Sequence, residues 1–138
     1  MAARTFTPAE ANNALREVRP LAERMVALRA RLKKLQEEQR DVVTLIAGNG
    51  SGFAVAESRT EEFTAALREL EGCVNALDDL GVQVKDLDVG LLDFPAVRDG
   101  EPVLLCWKVG EDAVAWWHRE EDGFAGRKPV DWGEEPGS

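Results

Sequence analysis

Cysteine and histidine are scarce in this chain: 138 residues hold two cysteines, Cys73 and Cys106, and one histidine, His118. The cysteines do not form a closely spaced pair, and a zinc site ordinarily draws on more nitrogen and sulfur ligands than these three residues supply. The sequence therefore predicts no metal, no haem and no other cofactor, and two buried free thiols in a reducing cytosol. No apolar run opens the chain, so no signal peptide is expected. No window approaches the ~18 apolar residues of a membrane span. Positive charge is in deficit too, at a net −9. That balance repels phosphate polyanions and anionic lipid, so neither nucleic acid nor membrane is an expected partner. These absences point to a cytoplasmic protein.

What is present is an ordinary globular composition, 44% hydrophobic and 31% charged, with an uneven distribution of charge. Residues 16–40 carry eight bases against four acids, and residues 57–80 carry seven acids against Arg59 and Arg68. Two helices of opposite charge packed together account for this asymmetry. The first helix has a clear start. Thr7 and Glu10 have capping-box spacing, Pro8 suits the first helical position, and Phe6 is placed to staple onto Ala11. The helical pattern runs to about Ala47, ahead of a glycine-rich stretch at 48–52. Pro20 lies inside it, so a kink or break is expected near residues 16–19. Beyond that point Val18, Met25, Leu32, Gln39 and Ile46 recur every seven residues, with Leu21, Leu28, Leu35 and Val42 offset by three. That is a coiled-coil seam. A second helix is expected from Ser58, capped with Glu61, with Phe63, Leu67, Leu70, Val74 and Leu77 as its seam and Gly81 as its C-cap.

After Gly81 the period drops to two. Residues 82–87 alternate as a half-buried strand does, residues 90–95 form a short apolar piece, and Asp99-Gly100 is a turn. Residues 103–109 and 113–118 read as a hairpin around Gly110-Glu111-Asp112. An even number of residues in that loop puts Val103, Leu105 and Trp107 on one face with Val114, Trp116 and His118. An odd number puts Leu104 and Cys106 opposite Trp116 instead. The expected fold class is α+β, with an N-terminal antiparallel helical hairpin (coiled-coil-like) over 8–81 followed by a small antiparallel β-sheet over 82–132. Residues 133–138 read as a disordered tail, and the whole is a single domain.

Candidate chemistry gathers in the sheet. Trp116 and Trp117 are strand neighbours and point to opposite faces. One can fill the core, and the other must cover a helix, a partner or a ligand. Asp86, Asp88 and Asp93 lie near strand ends, where aspartate commonly satisfies backbone amides. A Cys106–His118 nucleophilic pair is disfavoured, because an even loop separates the two residues onto opposite faces. The cluster retained as a ligand or interface candidate is Asp93, Trp107, Glu111, Trp116, Trp117, His118 and Arg127, with Arg127 expected to pair with Asp93 or Glu111 and hold residues 123–129 over a tryptophan.

Four segments carry a family likeness: Phe6-Thr-x-x-Glu10-Ala-Asn12, the run at 82–95, Leu105-Cys-Trp-Lys-Val-Gly-Glu111, and Trp117-His-x5-Phe124-x-Gly-Arg127-x-Pro129. Together they resemble the prokaryotic domain-of-unknown-function family numbered 2203, over nearly the whole chain. The resemblance implies a small bacterial cytosolic protein. It brings no activity and no functional residues. The leading functional expectation is a non-enzymatic interaction or self-association module, a homodimer through the helices with room for a protein partner. The alternative is a small-ligand-binding or hydrolytic pocket on the aromatic face of the sheet.

Overall fold

The computed structural model describes residues 4–49 and 53–132, with side chains at 4–38 and 60–132. Helices α1 (Pro8–Asn49) and α2 (Phe53–Asp79) lead into strands β1 (Gln83–Asp86), β2 (Leu91–Arg98), β3 (Glu101–Lys108), β4 (Trp116–His118) and β5 (Lys128–Pro129). Among the described residues the strands form one sheet in chain order, each antiparallel to the next. The class is the expected α+β.

The capping box is formed. Thr7 Oγ1 accepts the Glu10 N–H at 3.1 Å and Glu10 Oε1 accepts the Thr7 N–H at 2.9 Å. Phe6 and Ala11 are both buried, and the Phe6 ring meets Phe94 edge-on at 5.2 Å. The cap therefore starts the helix and docks it on the sheet. The expected break at Pro20 does not occur, and α1 is continuous through it. Pro20 is exposed, so the missing backbone bond falls on the wet side, where water can satisfy the carbonyl left free.

Val18, Met25, Leu28, Leu32 and Leu35 are buried and Leu21 is half-buried, as the heptads predict. Gln39, Val42 and Ile46 lie outside the described side chains. Arg24 pairs with Glu69, and Arg31 with Glu62 at 3.5 Å. Numbering rises along α1 as it falls along α2, so the helices are antiparallel and oppositely charged where they meet. Two expectations for α2 need correction. It begins at Phe53, because no glycine or proline interrupts residues 53–58, so Ser58 is inside the helix and does not cap it. Leu67 is 38% exposed, while Ala66 and Cys73 are buried beside Leu70 and Leu77. The seam is rotated by one residue from the one read off the large apolar side chains. Gly81, at φ 89°, ends the helix. Its N–H donates to the Asp78 carbonyl and the Val82 N–H to the Leu77 carbonyl, the paired bonds of a Schellman cap, with Leu77 and Val82 both buried.

Strand alternation divides the sheet into two faces. On the inner face Leu92 opposes Trp107, Phe94 opposes Leu105 and Ala96 opposes Val103, and Trp117 opposes Leu105 from β4. These side chains join the helix residues in one apolar cluster. Gly90, at φ 68°, marks the close approach of the layers. A Cβ there would lie 2.4 Å from Val109 Cγ2 and 2.8 Å from Val26 Cγ2. Asp99 and Gly100, at φ 52° and 80°, make the tight turn between β2 and β3.

Strand β4 is shorter than the expected 113–118 because the backbone of Val114 is used elsewhere. Asn12 Oδ1 accepts the Val114 N–H at 2.7 Å, and Asn12 Nδ2 donates to the Val114 carbonyl at 3.1 Å. A side-chain amide on α1 thus replaces a strand neighbour. Beyond expectation, a 3-10 turn at Phe124–Gly126 leads into β5, which closes the sheet.

Candidate functional site

The β3–β4 register is the odd one. Cys106 lies opposite Trp116, and Leu104 opposite His118. Cys106 also faces Asp93 across β2 and β3. Asp93, Leu104, Cys106, Trp116 and His118 therefore share the outer face, away from the helices. The separation of Cys106 from His118 onto opposite faces, which the even loop required, is overturned.

Three of these residues form a compact group. One ligand-capable atom each from Asp93, Cys106 and His118 lies within 4.8 Å of the others, and all three residues are buried. His118 Nε2 is 3.0 Å from Asp93 Oδ1, and His118 Nδ1 is 2.7 Å from the Arg119 carbonyl oxygen. A carbonyl only accepts, so Nδ1 carries a proton and donates it. Burial, followed by the neighbouring Asp93 carboxylate, pushes the Cys106 thiol up to about 12. The group spans three adjacent strands, with Asp93 and His118 leaning over β3 from either side.

The group has a roof and an opening. The Arg127 guanidinium lies 4.9 Å from the Trp116 ring centroid and 4.6 Å from that of Phe124. Its Nη2 donates to both Glu111 carboxylate oxygens at 2.8 Å. Glu111 Oε1 also accepts the Lys108 N–H at 2.8 Å. The expected Arg127–Glu111 pair is thus present and fastens the segment bearing Phe124 over the strands. Gly126 is required there, because a Cβ would fall 2.5 Å from Asp122 Cβ. Beside this roof a cleft of about 150 Å³ opens onto Asp93 and His118, walled by Leu91, Leu104 and Phe124, with Lys85 and Glu120 at its polar sides.

The seven residues singled out in the sequence separate into three places. Asp93 and His118 floor the cleft. Trp116, Glu111 and Arg127 build the neighbouring clamp. Trp107 and Trp117 belong to the inner core, where Trp107 Nε1 donates to the Glu111 carbonyl at 3.0 Å and Trp117 meets Trp132 edge-on. The seven do not converge on one pocket. Trp116 finds its cover in Arg127, not in α1. The three aspartates also part company. Asp86 Oδ1 accepts the N–H groups of Asp88 and Val89, while Asp88 pairs with Lys33 and Arg29 and is held below the usual carboxylate range by them. Cys106, Lys85 and Glu120 were not retained from the sequence, and only the loop parity could have brought Cys106 in.

A helical hairpin with a five-stranded antiparallel meander on one side, and a buried acid–thiol–imidazole group on the meander's far face, defines an α+β protein. The chain belongs to the DUF2203 family of uncharacterized conserved proteins, whose model matches residues 4–130. No curated protein and no solved structure matches it. Among the described residues no helix is long and apolar enough to cross a membrane.

Proposed function

We propose that the protein binds a small ligand in the cleft on the outer face of its sheet, with Asp93 and His118 as the recognising groups. The observation carrying this reading is a buried ionisable pair that borders an opening. Stability alone is a weak reason to keep such a pair, since desolvating two polar groups commonly offsets their attraction and apolar replacements are often neutral or better. The cleft is smaller than the 300–1,000 Å³ or so of drug-sized sites, so the ligand class is an ion or a molecule of few heavy atoms. Free buried thiols at Cys73 and Cys106 suit a reducing, cytoplasmic compartment.

His118 is the sole histidine, which gives a clean test. Fragments of few heavy atoms, screened by NMR against the full chain, are expected to shift the His118 ring resonances, and His118→Gln should abolish those hits. Fragments that move only resonances of the helices would overturn the reading.

The other expectation, a helical interaction or self-association module, finds less support. The described seam of α1 is buried within its own chain, leaving no apolar stripe there for a second copy. Light scattering at tens of micromolar decides it, and a dimer mass would restore the helical reading.

A further inference from the structure

The outer-face group has the donor set of a transition-metal site. Resting on the cleft reading above, we propose that the ligand is a divalent ion of the zinc class, held by Asp93 through a carboxylate oxygen, Cys106 through Sγ and His118 through Nε2. The fourth position opens to the cleft.

Hydrogen-bond direction is the first support. With His118 Nδ1 donating to the Arg119 carbonyl at 2.7 Å, Nε2 is the ring atom left to face Asp93, 3.0 Å from its Oδ1, and in the neutral ring that atom is an acceptor. Two acceptors at this distance require a proton or a cation between them. Metal-binding histidines are typically held in this way, the far ring nitrogen tied to a backbone carbonyl and the near one free to ligate.

Size is the second. With metal–ligand bonds of roughly 2.0–2.3 Å in tetrahedral geometry, ligand atoms stand about 3.3–3.7 Å apart. The three donor atoms lie within 4.8 Å of one another, with His118 Nε2 and Asp93 Oδ1 at 3.0 Å, so small side-chain rotations reach that spacing. The donors stand on three hydrogen-bonded strands, which hold them more rigidly than loops would.

Donor chemistry is the third. One sulfur, one nitrogen and one oxygen suit a borderline-soft ion. Calcium and magnesium take six or more oxygens and are excluded. Three protein ligands with an open fourth position is the arrangement of a zinc that binds water or a small ligand, in contrast to a closed structural site. Asp93 and His118 border the cleft together with Lys85 and Glu120, so a molecule on the open position would meet one cationic and one anionic side chain.

The test is cobalt(II) added to chelator-treated full-length protein. One equivalent should produce visible d–d bands and a near-ultraviolet sulfur-to-cobalt band, with zinc displacing it and magnesium without effect. Cys106→Ser should remove the near-ultraviolet band and weaken binding by at least about 100-fold, more than the 10–100-fold typical of an outer-shell change. Cys73→Ser, in the helical seam, should leave both unchanged. X-ray absorption on the zinc-loaded wild type should show one sulfur near ~2.3 Å with nitrogen and oxygen ligands, a readout independent of any variant's folding. A spectrum lost in Cys73→Ser, a sulfur-free shell, or no cobalt spectrum at all would overturn the metal proposal. If cobalt fails while fragments still shift the His118 ring, the cleft reading survives without the metal. If both fail, neither stands.

Discussion

The two faces of one sheet are built differently. On the inner face Leu92, Phe94, Ala96, Val103, Leu105, Trp107 and Trp117 meet two helices, and each gains by leaving water. On the outer face Asp93, Cys106 and His118 sit beneath a short segment pinned by one arginine. A helix covers a sheet face most stably when that face is apolar. A thin roof beside an opening tolerates polar groups if they satisfy one another. The contrast sets an apolar packing face against one that holds a polar group, and mutation can break it.

Trp107→Ala should give the largest effect. Its side chain is fully buried and centrally placed, so the cavity should cost about 3–5 kcal/mol in urea unfolding. A loss under about 1 kcal/mol would mean that the inner face is not the folding core. Asp93 offers the sharper contrast. Asp93→Ala leaves His118 buried without its partner and should cost about 3 kcal/mol. Replacing both, as Asp93→Leu with His118→Leu, should cost less than the single change. A double variant as unstable as the sum of its singles would mean that the two side chains contribute independently and are not energetically coupled across β2 and β4.

Arg127→Ala comes next, at about 1–2 kcal/mol, because it removes a bidentate pair and two ring contacts at a partly covered site. Glu111 keeps its bond from the Lys108 N–H, which limits the loss. The melting temperature should fall while the inner-face tryptophans keep their near-ultraviolet signature. Full stability combined with loss of His118-directed fragment binding would move Arg127 from the clamp into the binding site.

Most of the fold was legible in the sequence and much of the site was not, for identifiable reasons. Local capping rules hold at Thr7 with Glu10 and at Gly81, but the same rule failed at Ser58, where the helix already runs from Phe53. The heptads of α1 are visible because large apolar residues recur. On α2 the seam includes Ala66 and Cys73, which carry too little apolar weight to outvote Leu67. Pro20 misled because its cost depends on which side of the helix it faces, a tertiary fact. The site depended on parity. Changing a hairpin loop by one residue exchanges every side chain between faces, and Asn12, lying about a hundred positions away in sequence, helps to set where β4 begins. Arg127 with Glu111 was legible because it needed only two oppositely charged residues flanking a tryptophan strand.

The smallest effect at neutral pH is also the most specific to the outer face. In the metal-free protein Cys106 is pushed from its ordinary 9.0 up to about 12, burial first and the Asp93 carboxylate next. An unfolded thiol ionises at about 8.5. Between those values the unfolded chain has lost the proton that the folded chain keeps, so stability falls as pH rises. Below about pH 8 both states hold the proton and the contribution is flat. Urea unfolding of wild type and Cys106→Ala, followed from pH 7 to 11, should therefore give two curves that run parallel up to about pH 8 and then converge, the wild type losing stability faster. Cys73, raised chiefly by its own burial, is present in both proteins and cancels in the difference. Curves that stay parallel to pH 11 would mean that the outer face opens to water in solution. The difference between the two faces would then be one of exposure more than of chemistry.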